Sequence, residues 1–322
     1  MKSQISFEDI QQAHDRIRDH INPLRITKSE ALSSDFGREI LLAHEYLQTT
    51  GAFKLRGAMN TVLQLGSDTK GVTAVSTGNH GRALAYSARQ AGVPCIICMS
   101  NLVPQNKLDG IKALGAEARI IGKSQDEAEV EAKRLVEEEG YTMVPPFDHP
   151  HVIAGQGTLG LEIKDQVPDI DTALVQLSGG GLISGIALAL KSQNPDIHII
   201  GISMERGCAM SESQKAGHPV EVEELPTLAD SLGGGIGMDN AYTFDMVRNY
   251  VDEIVLLDEE EIAEGIRHAY LKEQAIIEGG GAVGIGAMLA GKAKPGKKTV
   301  VLLSGRNIDM NKHLKILNRE DV

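Results

Sequence analysis

The chain has 322 residues, a formal net charge of -12, no tryptophan and only 3% aromatic residues. That acid surplus works against binding a phosphate backbone, and so few rings exclude an aromatic platform for stacked bases, so the expected partners are small molecules and not nucleic acid. With 42% hydrophobic and 24% charged residues the composition is that of an ordinary globular protein, long enough for two domains or for one large α/β domain with an embedded second lobe.

The N-terminal stretch "MKSQISFEDIQQAHDRI" lacks the apolar core of a secretion signal, and no uninterrupted apolar run in the chain is long enough to span a bilayer. The cytoplasm is therefore the expected compartment, with no membrane partner. Residues 49–60, "TTGAFKLRGAMN", set one amine, Lys54, between Phe53 and Leu55. Apolar neighbours that desolvate a lysine lower its pKa, and a neutral amine is what Schiff-base chemistry with a carbonyl requires. A solvated helix lysine with its stem packed on apolar surface accounts for the same residues, and on this stretch alone it is the simpler reading.

From residue 71 onward, "GVTAVST" is followed by "NHGRALAYSARQAG", "PCIICMS" by "PQNKLDGIKALG", and "EARIIG" by "SQDEAEVEAKRLVEEEG", before "TMVPP" closes the series. Short β-branched runs alternating with helical patterns at this spacing are βαβ units, which predict a parallel sheet covered by helices. Cys95 and Cys98 sit in one of these strands and read as buried small hydrophobes; with Cys208 they make three cysteines, too few for a secreted disulfide framework. A second series runs through "TALVQLS", "GLISGIALALKSQNP" and "HIIGISM" to "KKTVVLLSG". The expected fold class is α/β in two lobes, each a mainly parallel sheet flanked by helices. No low-complexity linker separates them, so the lobes should pack closely around a cleft.

Three loops point to that cleft. "VSTGNHGRALA", residues 75–85, carries Ser76, Thr77, Gly78, Asn79 and His80 between a strand and a helix. Hydroxyl, amide and open N–H groups at a helix start suit a carboxylate or a phenolic oxygen, and a helix simply capped by Ser76 or Thr77 needs the same residues. "SGGGLISG", residues 178–185, lets consecutive backbone N–H groups converge on an anion at a helix N-terminus. A tight strand-to-helix turn accounts for those glycines equally well, and neither G-x-G-x-x-G nor G-x-x-x-x-G-K-[ST] is present. "LLSGRNID", residues 302–309, puts Ser304 at the carboxyl end of the last strand, where ligands bind in open α/β sheets.

Taken together, "GAFKLRGA", "STGNHGRALA", "SGGGL" and "LLSGRNID", in this order and approximate spacing, resemble the fold-type II pyridoxal-phosphate enzymes, of tryptophan synthase β-like architecture, and within them the serine/threonine dehydratase family. The resemblance covers nearly the whole chain. It implies that Lys54 carries the cofactor, pyridoxal 5'-phosphate, beside Phe53. It further implies that Gly179, Gly180, Gly181 and Leu182 hold the phosphate, Asn79 the ring hydroxyl and Ser304 the pyridine nitrogen, and that Ser76, Thr77, Gly78, Asn79 and His80 bind the substrate carboxylate. The expected organisation is a discontinuous large cofactor-binding domain, residues 1–68 and 148–322, and a small domain, residues 69–147, that closes over the substrate. A homodimer is the expected assembly.

Within the family, "LQTTGAFKLRGA", "MVPPFDHPHVIAGQGTLGLEI", "SMERGCAM", "PTLADSLGGGIGMDN" and "EGGGAVGIGAMLAG" are most similar to the hydroxyectoine-utilization dehydratases. Arg306 stands where general threonine dehydratases usually have glycine. Ser203 and Ala209 fill the positions at which serine racemase-like members bind a divalent metal through Glu and Asp, and Glu205 is offset, so no metal is expected there. The chain ends at Val322 without the regulatory domain of biosynthetic members, and feedback inhibition through such a domain is not expected.

The implied activity is α,β-elimination of water from a β-hydroxy amino acid, of threonine or serine type or a hydroxyectoine-derived hydroxy diamino acid, giving a keto acid and ammonia. Lys54 is then the general base at Cα, and Glu278 stands on the far side of the ring or serves only a helix terminus. A cysteine synthase-type β-replacement enzyme shares the fold, but its usual T-S-G-N-T-G reads here "STGNHG". A non-catalytic α/β small-ligand-binding protein would keep the glycines and lack a reducible cofactor linkage.

Overall fold

The computed structural model describes residues 5–322 except 77, 102, 104 and 124, so Thr77 lies outside the described residues. In chain order the strands are β1 (Ile26–Lys28), β2 (Glu39–Ala43), β3 (Gly71–Val75), β4 (Cys95–Met99), β5 (Glu117–Ile120), β6 (Tyr141–Met143), β7 (Thr172–Gln176), β8 (His198–Met204), β9 (Glu253–Leu257) and β10 (Lys298–Leu302). They form a six-stranded sheet, β1-β2-β10-β7-β8-β9, and a four-stranded sheet, β5-β4-β3-β6. The small sheet is wholly parallel, and in the large one only β1 runs antiparallel, against β2. The fold is thus α/β with two mainly parallel sheets.

Parallel strands covered by helices on both faces read as continuous apolar runs, and β4 and β7 are buried at every position. Alternate residues of the large sheet feed two cores. Leu174, Ile200 and Val301 pack with Val283 and Ile285 of the helix Gly279–Leu289, whereas Val175, Ile199 and Val300 pack with Ile183 and Ile186 of the helix Gly181–Gln193. In the small sheet Cys95 and Ile97 face one core, and Ile96 and Cys98 the other. Because side chains alternate along a strand, the three-residue spacing of Cys95 and Cys98 points them to opposite faces; both are free and buried.

The strand order places the cleft. From β7 the chain builds outward through β8 and β9, then returns to add β10 on the other side of β7. From β3 it builds outward through β4 and β5, then returns to add β6 on the other side of β3. At each reversal the connections leave on opposite faces of the sheet, opening a crevice at the carboxyl ends. The loops after β3, β7 and β10 are the three singled out by their composition. Among the described residues no helix is long and apolar enough to cross a membrane.

Candidate active site

A cavity of about 550 Å³ opens at the carboxyl ends of the two sheets. Phe53, Lys54, Ser76, Gly78, Asn79, His80, Gly179, Gly180, Gly181, Leu182 and Ser304 all line it, so every described residue expected at the site is brought to one place.

Lys54 opens the helix Lys54–Val62, whose residues 55–62 are all buried. Its Nζ donates to the Pro146 carbonyl at 2.5 Å and lies 5.2 Å from the Phe53 ring centroid. Burial lowers its pKa from 10.5 to about 8. Two residues on, Arg56 is fully buried and anchors this helix. Its guanidinium grips Glu45 through Nε (2.7 Å) and Nη2 (3.0 Å), donates to Thr158 Oγ1 (3.0 Å) and pairs with Glu162. A forked cation of this kind meets two carboxylates without leaving a donor unpaired, which is what makes its burial tolerable.

The Lys54 segment and the strand-end segment are zipped together by backbone. Phe53 N donates to Ser304 O at 3.0 Å, Arg306 N to Gly51 O at 2.9 Å, and Ala52 bridges Gly305. Ser304 is thereby fixed, buried, within the same cavity as Lys54.

The glycine loop starts the helix Gly181–Gln193, and Gly180 adopts φ +89° as its N-cap. Among the described residues no acceptor takes the N–H groups of Gly179, Gly180, Gly181 and Leu182. The glycines are required by packing behind the loop as well. A Cβ on Gly179 would stand 2.4 Å from the Phe147 ring, and one on Gly180 would stand 2.9 Å from Met210 Cε and from Thr243 Cβ.

At the other loop, Ser76 Oγ accepts the N–H of Gly78 (3.4 Å) and Gly81 (3.2 Å), while those of Asn79 and His80 take no acceptor among the described residues. Asn79 Nδ2 donates to Glu278 Oε1 (2.7 Å), and its Oδ1 accepts Asn307 Nδ2 (2.6 Å). His80 Nε2 lies 2.7 Å from the Val144 carbonyl. Burial, with the Lys54 charge adding to it, pushes the His80 pKa down to about 3, so the ring is neutral.

Several lining residues carried no sequence signal. Phe147 and the Pro146 carbonyl lie in "MVPPFD", and Gln176 ends β7 with Nε2 on Leu302 O at 2.7 Å. Asn307 was visible only as part of "SGRNID"; a polar residue so close to a strand end was the available clue. At the position where a metal would need acids, Ser203 is buried with Oγ on Met204 Sδ (3.3 Å), and Glu205 instead accepts from Lys292 Nζ (3.2 Å).

Two mainly parallel sheets meeting at a cleft are the fold of the fold-type II class, and around one cavity of it stand a buried amine, open N–H groups at a helix start and a strand-end hydroxyl. The chain belongs to the pyridoxal-phosphate dependent enzyme family, whose pattern matches residues 17–305. It is 54% identical over 319 residues to a putative threonine dehydratase of Sinorhizobium fredii (strain NBRC 101917 / NGR234), covering 98% of this chain and 96% of that one. It is 40% identical to an L-threonine ammonia-lyase of Thermotoga maritima, covering 98% of this chain and 79% of the relative. Among solved structures, maize serine racemase superposes with a TM-score of 0.92 at 31% identity, covering 98% of each chain. The residues present fit the cofactor of this family: open N–H groups suit its phosphate, and a lysine amine of lowered pKa suits its aldehyde.

Proposed function

We propose that this enzyme is a lyase of the threonine dehydratase/ammonia-lyase type, removing water from a β-hydroxy amino acid to give a keto acid and ammonia. The observation that carries this reading is the pairing in one cavity of a lysine amine lowered to about pKa 8 with a neutral strand-end hydroxyl, Ser304, in place of a carboxylate. When bound, pyridoxal phosphate supplies a sink for the electron pair left at the substrate Cα. Lys54 Nζ, neutral in a large fraction of molecules near pH 8, takes the Cα proton. The N–H groups of Gly179 to Leu182 bind the phosphate. Ser304 Oγ meets the ring nitrogen without adding charge, and Asn79 meets the ring oxygen. The open N–H groups of Asn79 and His80, at the start of a helix, bind the substrate carboxylate.

Residues 69–147 form the lobe that closes over the substrate, against residues 1–68 and 148–322, and the enzyme works as a homodimer. Within the β-hydroxy class, the stretches shared with hydroxyectoine-utilization dehydratases support a hydroxy diamino acid as the physiological substrate. Ammonia release from L-serine, L-threonine, 3-hydroxyaspartate and hydroxy diamino acids tests the whole reading. Release is expected with at least one of them, the hydroxy diamino acid giving the highest kcat/KM. Inversion of L-serine to D-serine without ammonia would overturn the lyase assignment.

A further inference from the structure

Among the described residues the His80 ring is hydrogen-bonded on one edge only. Its Nε2 lies 2.7 Å from the Val144 carbonyl, which accepts and never donates, so Nε2 carries the ring proton. The ring is neutral, so Nδ1 carries a lone pair. That atom is buried and has no hydrogen-bond partner among the described residues, in a residue that is 3% exposed and lines the cavity beside Lys54. A lone pair repels a carboxylate, so the imidazole is not a carboxylate ligand; only the His80 backbone N–H can serve there. A donor that a ligand brings into the cavity would satisfy Nδ1.

We propose that His80 Nδ1 accepts a hydrogen bond from the substrate's β-hydroxyl and so selects hydroxyl-bearing amino acids over those whose leaving group has no donor. The inference rests on the lyase reading and names the feature of the substrate that the site reads. Accepting the hydroxyl hydrogen also turns the oxygen lone pairs away from His80, toward whichever group protonates the departing water. A site that holds a buried acceptor for a substrate O–H discriminates strongly against analogues lacking it, because the acceptor is then left unpaired.

The test uses the holoenzyme with two amino acids that have no Cα hydrogen and so cannot undergo the elimination: α-methylserine, which keeps the hydroxyl, and 2-aminoisobutyrate, which lacks it. Their dissociation constants are read from the visible spectrum of the bound cofactor. The wild type should bind α-methylserine about tenfold more tightly, the order expected of one hydrogen bond in a buried site. His80→Gln, whose amide reaches Val144 but offers no oxygen where Nδ1 stands, should bring the ratio close to one. His80→Asn, whose shorter amide presents an oxygen there, should restore it. In turnover, His80→Gln should lose at least tenfold in kcat/KM with L-serine or L-threonine and little with β-chloro-L-alanine. A ratio near one in the wild type, or one that His80→Gln leaves unchanged, or equal losses on hydroxyl and chloride substrates, would overturn the assignment. Spectral discrimination without elimination from any hydroxy amino acid would instead sink the lyase reading and leave the His80 contact standing.

Discussion

Asn79 Nδ2 donates to Glu278 Oε1 at 2.7 Å, tying the first residue of the helix Asn79–Ala91 to the residue that precedes the helix Gly279–Leu289. Asn307 closes the ring: its backbone N–H donates to Glu278 Oε2 at 2.9 Å and its Nδ2 to Asn79 Oδ1 at 2.6 Å. Burial raises the pKa of Glu278, while donation from Asn79 opposes it. Both oxygens accept from N–H donors, of Asn79 and of Asn307, and those bonds favour the ionised form against the burial. The three residues fix which way the Asn79 amide points.

Glu278→Gln should therefore disturb the cavity without emptying it. One of the two carboxylate oxygens becomes an NH2 that faces a donor, at a cost of about 1–3 kcal/mol. Titration of the apoprotein with pyridoxal phosphate should show affinity lowered by roughly tenfold or more. Unchanged affinity would mean that the Asn79 orientation does not depend on this carboxylate.

Lys54 makes the apoprotein's stability depend on pH in a definite direction. Its folded pKa of about 8 lies below its ordinary 10.5. Between these values the unfolded chain holds the extra proton, so stability rises with pH across that window and the burial penalty is complete below it. Lys54→Met should stabilise the apoprotein at pH 7 by on the order of 3 kcal/mol, flatten that pH dependence and abolish covalent attachment of the cofactor. Denaturant titrations of both apoproteins at pH 7 and pH 10 check this; parallel curves would contradict it.

Gly180 is constrained twice, by φ +89° and by the approach of Met210 and Thr243. Gly180→Ala should cost about 1–2 kcal/mol in backbone strain before any clash is counted. Gly180→Val should cost more and weaken cofactor binding, because the loop must shift to relieve the contact with Thr243. Thermal melts and cofactor titrations of the two variants should rank them in this order.

Removing Arg56 leaves Glu45 buried and unpaired. Arg56→Met is expected to destabilise the fold by about 3–5 kcal/mol, measured by chemical denaturation. Arg56→Lys keeps the charge and loses the fork, so it should fall between the variant and the wild type.

Much of the fold was legible because the signals are local. The parallel strands announced themselves as fully buried apolar runs, and the stretches "GVTAVST", "PCIICMS", "TALVQLS" and "KKTVVLLSG" all contain strands of the structure. The strands β2 and β9 were not singled out. Their sequences, EILLA and EIVLL, are short apolar runs that periodicity alone does not separate from a buried helical segment.

By itself the sequence determined the α/β class, the family and the order of the loops that line the cavity, because each rests on residues adjacent in the chain. What only the tertiary structure decided is how distant residues meet. Glu278, Asn79 and Asn307 are joined across 228 residues of sequence. Arg56 finds Glu162 at a separation of 106 residues, and Lys54 finds Pro146 at 92. The lowered pKa of Lys54 follows from burial, which no neighbour in "GAFKLRGA" could supply alone. The tautomer of His80 likewise waited on the fold: the sequence offers an imidazole with two nitrogens, and only the Val144 carbonyl determines which of them keeps a lone pair.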